Sequence, residues 1–394
     1  MDRIGILTYH WVANYGANLQ MYSTYMFLCN HGYNPIVINW IPESGKKYYK
    51  SVSCSEQMEC HRAFLKSHCD ITREFSSPEE YEVVIKEYNI NKIIVGSDSL
   101  FNIIKDSFDL LHFRKITNTI DHKFPNPFWC YHIDTPHVAL SVSSQNASYK
   151  DFSSDADKIS FALSNFRRIT VRDTWTKDMV SYFTKGKVSP KVTPDPVFGF
   201  NNNVQTEETA ESIRAKYGLP EKYILFTFNE GRMSAPLKWI LKIKELFNKD
   251  GYSCVYLPRS TGSQKLELDY EIKMPIDPLD WYNLIRFSNG YVGVLMHPIV
   301  VCLHNVVPCF SFDHYGNGPI LMSNRKSSKI YHILDKADLL DNHYFLRNHL
   351  MYPNPEYVYE KILNFPIHRI REFSKEQSHK CLANMRDLVN ALKQ

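Results

Sequence analysis

The chain has 394 residues, with 46 Lys and Arg against 42 Asp and Glu and a formal net charge of +4 when histidine is neutral. That length exceeds what one hydrophobic core serves and predicts two domains. The small basic excess is spread along the chain, which argues against a nucleic-acid-binding face and suits an anionic small substrate. No run of about 18 apolar residues occurs and no basic segment leads into a long apolar one, so neither a spanning helix nor an ordinary signal peptide is expected, and the expected location is the cytosol. Nine cysteines are scattered without CxxC pairs or knuckle spacing, and they read as buried thiols, not bridges or metal ligands. No metal site is predicted.

In chain order, short β-branched runs alternate with helix-like patterns. IGILTY at 4–9 reads as a strand, 17–30 as a helix, PIVINWI at 35–41 as a strand, 78–90 as a helix and KIIVGSD at 92–98 as a strand. HVALSVSS at 137–144, a helix at 155–165, RITVRD at 168–173, a helix at 174–184 and KVTPDPVF at 191–198 complete the first half. Nearly continuous apolar strands separated by helices predict an α/β fold with parallel sheets covered on both faces. The polar stretch GFNNNVQTEETAES at 199–212 is the expected linker.

The alternation then restarts with YILFTF at 223–228, a helix at 234–248, YSCVYLP at 252–258, a helix at 278–287, YVGVLM at 291–296, a helix near 298–306 and CFSF at 309–312. The expected organisation is a Rossmann-like domain over 1–200, a second over 201–350 facing it across a central cleft, and helices over 351–394 packing back on the first domain. Residues 42–77 and 99–136 read as long irregular insertions of the kind that shape substrate sites.

The turn in LTYHWVANYGANLQMYS joins a strand to a helix, and Asn14, Tyr15, Gly16 and Asn18 lie in or beside it. Gly16 permits a close backbone approach or a positive φ, and the amides that follow are unpaired first-turn donors able to hold an anion. A lone glycine there also serves structure alone. Asp98, after Ser97 in VGSDSLFN, falls at the carboxyl end of a strand, where ligands of open α/β sheets collect; it either caps a turn or takes a proton from a sugar hydroxyl. Arg172 ends RITVRD, and its planar guanidinium suits carboxylate or phosphate, with a salt bridge to Asp173 or a neighbouring acid as the plainer alternative. His297 follows an apolar strand and precedes Pro298, which predicts a helix N-cap projecting into the cleft; His304 reads as structural. Arg325, Lys326 and Lys329, with Ser327 and Ser328 in NRKSSKI, would meet a phosphate or form a solvated loop that caps the following helix.

Several of these stretches together resemble the polysaccharide pyruvyl transferase family. GILTYHWVANYGANLQMYSTYMFL resembles its opening strand, Asn-Tyr-Gly-Ala-x-Leu-Gln turn and first helix; IIVGSDSLFN resembles its Gly-Ser-Asp-Gln-Val-Trp-Asn segment, with Ser99 and Phe101 departing from it. ITVRD, PDPVF and DPLDWYNLIRFSNGYVGVLMH resemble three further segments, the last ending at His297, and the similarity spans about residues 3–335. The resemblance implies a GT-B-type fold and transfer of the enolpyruvyl unit of phosphoenolpyruvate onto two hydroxyls of one sugar, leaving a pyruvate ketal, with no separate cofactor. It implies that Arg172 holds the donor, His297 binds phosphate and acts as acid, and Asp98 takes the hydroxyl proton, with acid and base open to exchange. The acceptor would be a sugar of a bacterial surface polysaccharide precursor, plausibly lipid-linked, reached by peripheral contact with the inner membrane. Many members have Arg-Leu-His or Ser-Phe-His at the histidine, where this chain has Leu295-Met296-His297, so either Arg232, Arg259, Arg325 or Lys326 compensates for a missing arginine or this member uses another donor. A GT-B glycosyltransferase using a nucleotide sugar through Glu230 and Arg232 is the alternative enzyme, and a polymer-binding scaffold the alternative without chemistry.

Overall fold

The computed structural model describes residues 2–109, 114–231, 234–314, 316, 324–349 and 351–393. The first half runs β1 (Arg3–Leu7), α1 (Tyr15–Asn30), β2 (Asn34–Val37), α2 (Glu43–Val52), α3 (Ser55–His68), α4 (Tyr81–Glu87), β3 (Lys92–Asp98), an antiparallel ribbon of β4 (Ser107–Asp109) and β5 (Arg114–Ile116), β6 (His137–Val142), α5 (Ala156–Asn165), β7 (Arg168–Val171), α6 (Thr174–Phe183) and β8 (Lys191–Val192). After α7 (Phe200–Asn203) and α8 (Ala210–Tyr217) come β9 (Tyr223–Thr227), α9 (Leu237–Lys249), β10 (Ser253–Tyr256), β11 (Tyr270–Glu271), α10 (Pro278–Arg286), β12 (Gly290–Gly293), α11 (Met296–Asn305), β13 (Cys309–Asp313), α12 (Lys329–Lys336), β14 (His343–Phe345), α13 (Pro355–Leu363) and α14 (Ile367–Ala391).

Two six-stranded parallel sheets result, ordered β2-β1-β3-β6-β7-β8 and β11-β10-β9-β12-β13-β14. In both, the strand order reverses direction beside the first strand of the domain, between β1 and β3 and between β9 and β12. Such switch points open a crevice at the carboxyl ends of the strands. The carboxyl ends of β1, β3 and β12 and the helix starts that follow them, where Asn14–Gly16, Asp98 and His297 lie, therefore belong to the two crevices. The predicted α/β class with two parallel-sheet domains is what the chain forms.

The stretch read as a linker divides in two. Residues 196–203 form a 3₁₀ turn and α7, and Phe198, Gly199, Phe200 and Asn203 are buried. Phe200 lies 4.4 Å from Tyr282 of the second domain, centroid to centroid. Only the exposed residues near 205–209 behave as a connector. The stretch 42–77 also differs from expectation, because it holds the helices α2 and α3. The cysteines are all free thiols, but Cys29 is exposed and Cys54 and Cys60 are half-buried.

The domains share one apolar cluster, fed by α1, α3, α10, α11 and α14. Helix α1 has no charged residue and is buried on nearly every face, as a helix sandwiched between layers must be. Gln57 of α3 donates to the Ile276 carbonyl and accepts from the Ile276 amide, both at 2.8 Å, pinning the domains across the interface. Helix α14 touches α11 and the first-domain strand β6, and Arg167 donates to its terminal Leu392 carbonyl at 3.1 Å.

His61 and His304 lie in this shared core, where burial drives both imidazoles from an ordinary 6.5 to about 4. Unfolding releases them to take up protons below about 6.5. Their contribution to stability is thus complete above that pH and is lost as pH falls toward 4, at most on the order of 3 kcal/mol each. Thermal unfolding should therefore change little from about pH 7.5 to 6.5 and decline steeply toward about pH 4.5. His61→Gln and His304→Gln should each flatten part of that decline; a pH profile that neither substitution alters contradicts the assignment.

Candidate functional site

On the first-domain side, the Asn14 side chain accepts from the Ala17 amide at 3.4 Å and caps α1. The first-turn amides of this helix face the crevice with the positive end of its dipole. Tyr15 stacks on Trp281 of α10 with ring centroids 4.9 Å apart and planes within 5°. Gly16 has no positive φ; its role is steric. A Cβ placed there would lie 1.9 Å from Cγ of His297, so the imidazole of the second domain rests directly on the glycine backbone.

Beneath this contact runs a line of alternating charges. Asp98 at the end of β3 accepts from the Ser99 amide at 2.7 Å, and its Oδ1 lies 3.6 Å from Arg172 Nη2. Arg172 Nη1 donates to Asp195 Oδ2 at 2.8 Å, and both side chains are essentially sealed from solvent. Asp195 also accepts from Gln20 Nε2 at 2.5 Å and lies 4.0 Å from His297 Nε2. Burial works against ionisation of Asp98, but Lys329, Arg172, His297 and the Ser99 amide together hold its carboxyl below the ordinary range. Burial likewise opposes the Arg172 charge, and Asp195 and Asp98 outweigh it.

On the second-domain side, α11 begins at Met296 after Leu295, so His297 sits inside the first turn and is not the cap that Pro298 suggested. The helix starts two residues earlier than expected, because Pro298 fits the third helical position as well as the first. Burial lowers the His297 imidazole to about 4, only partly offset by Asp195 and Asp98, and its ring is neutral at pH 7. The loop after β10 closes the same wall: Ser260 Oγ donates to the Ala13 carbonyl, and the Cys54 amide donates to the Ser260 carbonyl at 3.2 Å.

These segments enclose a cavity of about 220 Å³ lined by Ala13–Gly16, Tyr49, Pro258–Thr261, Trp281, Leu295–Pro298 and Lys329. Two helix N-termini, those of α1 and α11, open on it. Of the predicted residues, Asn14, Tyr15, Gly16 and His297 line the cavity, while Asp98 and Arg172 form the charged layer behind His297. Asn18 instead bonds His61 and the His10 carbonyl, and Ser97 Oγ donates to the Ser141 carbonyl at 2.7 Å. Arg325 and Lys326 are exposed and outside the cavity, with Arg325 over the Tyr331 ring. Glu230 is exposed and also outside it, and Arg232 lies outside the described residues. Among the described residues, Arg259 is the one proposed substitute for an arginine at 295 that reaches the wall. Asp195 and Gln20 were not singled out from the sequence, although Asp195 stands in PDPVF and Gln20 closes the NYGANLQ turn; of the NRKSSKI cluster, Lys329 is the member that reaches the cavity. Among the described residues, no group of three or more His, Cys, Asp or Glu side chains is arranged to hold a metal.

A family model described as polysaccharide pyruvyl transferase matches residues 14–316. None of the curated proteins matches the chain by sequence. Solved structures with a similar fold include a UDP co-structure of MnaA from S. aureus, at 13% identity, TM-score 0.56 and coverage of 100% of this chain and 96% of that one. UDP-GlcNAc 2-epimerase from Neisseria meningitidis bound to UDP-GlcNAc is similar at 10% identity and TM-score 0.57, covering 100% and 99%. The spinosyn forosaminyltransferase SpnP is similar at 8% identity and TM-score 0.52, covering 100% of both chains. At such identities the likeness concerns the fold, which is the two-domain GT-B arrangement.

The His297–Gly16 contact is directly testable by imidazole NMR. His297 should stay neutral down to about pH 5, and in Gly16→Ala the displaced ring should titrate closer to its ordinary 6.5. An unchanged titration in a folded Gly16→Ala protein contradicts the packing described.

Proposed function

The chain belongs to the polysaccharide pyruvyl transferase family, and on that premise we propose that it moves the pyruvyl group of phosphoenolpyruvate onto two hydroxyls of one sugar, releasing phosphate and leaving a cyclic ketal. The observation that carries this reading is a small cavity onto which two helix N-termini open, with the neutral His297 on its wall and ionised Asp98 in the layer behind. A donor bearing both a phosphate and a carboxylate suits amides and dipole ends converging from two lobes. Its dimensions fit a three-carbon donor better than a nucleotide sugar, and Glu230, the residue a nucleotide sugar called for, stands outside it.

Proton bookkeeping follows from the charges. Bringing the anionic donor against His297 favours the imidazolium, so binding loads the acid that protonates the methylene carbon. The cation formed at C2 makes an attacking hydroxyl strongly acidic, and a carboxylate held as low as Asp98 suffices to take its proton. Phosphate then leaves and the second hydroxyl closes the ketal; one hydroxyl proton replaces that given to carbon, and the other departs with phosphate. Arg172, sealed behind Asp98 and Asp195, holds both carboxylates in place and helps keep Asp98 ionised instead of touching the donor.

The reaction needs no separate cofactor. We assign the acceptor to a surface-polysaccharide precursor on a lipid carrier, met by peripheral contact at the cytosolic face of the membrane; no helix among the described residues is long and apolar enough to cross one.

Candidate oligosaccharides incubated with phosphoenolpyruvate should gain the mass of a pyruvate ketal and release phosphate only when both substrates are present. His297→Gln should lower kcat by about 10²- to 10⁴-fold while donor affinity changes little. Calorimetry of donor binding near pH 6 should show proton uptake in the wild type that is absent in His297→Gln. Donor binding without proton uptake, or full turnover in His297→Gln, removes the imidazole from the acid role.

A further inference from the structure

The two helix ends supply partial charges, but the formal positive charge on the cavity wall comes from Arg259 and Lys329. Arg172 cannot join them, because it is 2% exposed and committed to Asp195, with Asp98 beside it. Both wall cations stand on anchored backbone. The Arg259 amide donates to Ser263 Oγ at 3.1 Å and its guanidinium meets Asn229 Oδ1; Asn229 in turn contacts His314 Nε2 at 3.2 Å. Lys329 opens α12 immediately after Ser328, whose hydroxyl accepts from the Ile330 amide at 3.2 Å while bonding the buried Asp313 carboxylate.

Resting on the phosphoenolpyruvate reading above, we propose that Arg259 and Lys329 form a two-cation clamp for the two anionic groups of the donor, with Lys329 at the reacting end. Lys329 heads the charges that keep Asp98 ionised, and it also acts on His297, so its ammonium lies within electrostatic reach of both proposed proton carriers. Arg259 stands on the loop after β10, the outer wall, where a planar fork can take a carboxylate or phosphate through paired hydrogen bonds. Burial also lowers the Lys329 ammonium from its ordinary range, with Arg172 adding to the shift. Donor affinity should therefore fall on the alkaline side at a pH lower than an ordinary lysine would set, a dependence that a purely structural lysine would not produce.

The test is calorimetric titration of the full chain with phosphoenolpyruvate and, separately, with inorganic phosphate, each variant being checked first by its thermal midpoint. Lys329→Met and Arg259→Met should each weaken phosphoenolpyruvate binding about ten- to hundredfold. Lys329→Arg should retain most of the affinity and move the alkaline loss to higher pH, while Arg325→Met and Lys326→Met should bind as wild type. Native-like affinity in both Lys329→Met and Arg259→Met overturns the clamp, as does an alkaline limb that Lys329→Arg leaves in place. Phosphate binding that depends on both cations, without any binding of phosphoenolpyruvate, would uphold the clamp and defeat the donor reading; binding of neither anion defeats both.

Discussion

An imidazole from one domain lies against the bare backbone of the other, and much of the site follows from that contact. Because residue 16 has no side chain, His297 approaches the end of α1 closely enough to be stripped of water and set 4.0 Å from Asp195. The contact is held by a wider seam in which Tyr15 stacks on Trp281 and Gln57 pairs with the Ile276 backbone. A cleft protein with a shared apolar core can keep such a contact between domains, because the surrounding packing fixes their relative position to within fractions of an ångström.

Burying so many ionisable groups in one place is costly unless the charges alternate and the excess is neutralised. Lys329, Asp98, Arg172 and Asp195 alternate in sign, and His297 completes the line without a charge. The neutrality of His297 is thus a consequence of burial beside an already balanced set. An arriving anion disturbs that balance and favours the protonated form of the neutral imidazole. Under the proposed function, a group that is proton-poor at rest becomes proton-rich when occupied, which would couple donor binding to readiness for reaction.

Fold class and most strands could be read from the sequence because nearly continuous apolar runs such as YILFT and KIIVGSD leave little choice. The order of strands could not, since it depends on which crossovers are taken, and that order decides where the switch points fall. Helix α3 was hidden because its inward positions Gln57, Met58, His61, Phe64 and Leu65 follow a helical stripe but include two polar residues. Gln57 finds its partners on the Ile276 backbone and His61 Nδ1 meets Asn18, groups distant in sequence. Helix α2 fully buries only Gly45 and rests its half-buried Tyr49 on Trp11, a short apolar side among exposed Ser and Lys residues. At the site, the need for Gly16 to admit a close approach was legible, but the approaching group was 281 residues away in sequence. Arg172 was assigned a ligand because a strand-end arginine and a buried salt bridge look alike until the partners, Asp98 and Asp195, are placed.

The distribution of roles between the lobes has a physical logic. The first domain contributes the charged layer of Asp98, Arg172 and Asp195, all fixed by strand ends and a 3₁₀ turn, and this layer is nearly inaccessible to solvent. The second contributes His297, Arg259 and Lys329, which stand on a helix start and two loop-to-element junctions and face the cavity. Electrostatic preorganisation requires that charges not relax when a ligand arrives, and sealed strand ends provide that rigidity. Recognition requires groups that reach the ligand directly, which the junctions of the opposite lobe supply. Joining the two demands a seam tight enough that the imidazole of one lobe is tuned by the carboxylates of the other, and at position 16 only glycine leaves room for it.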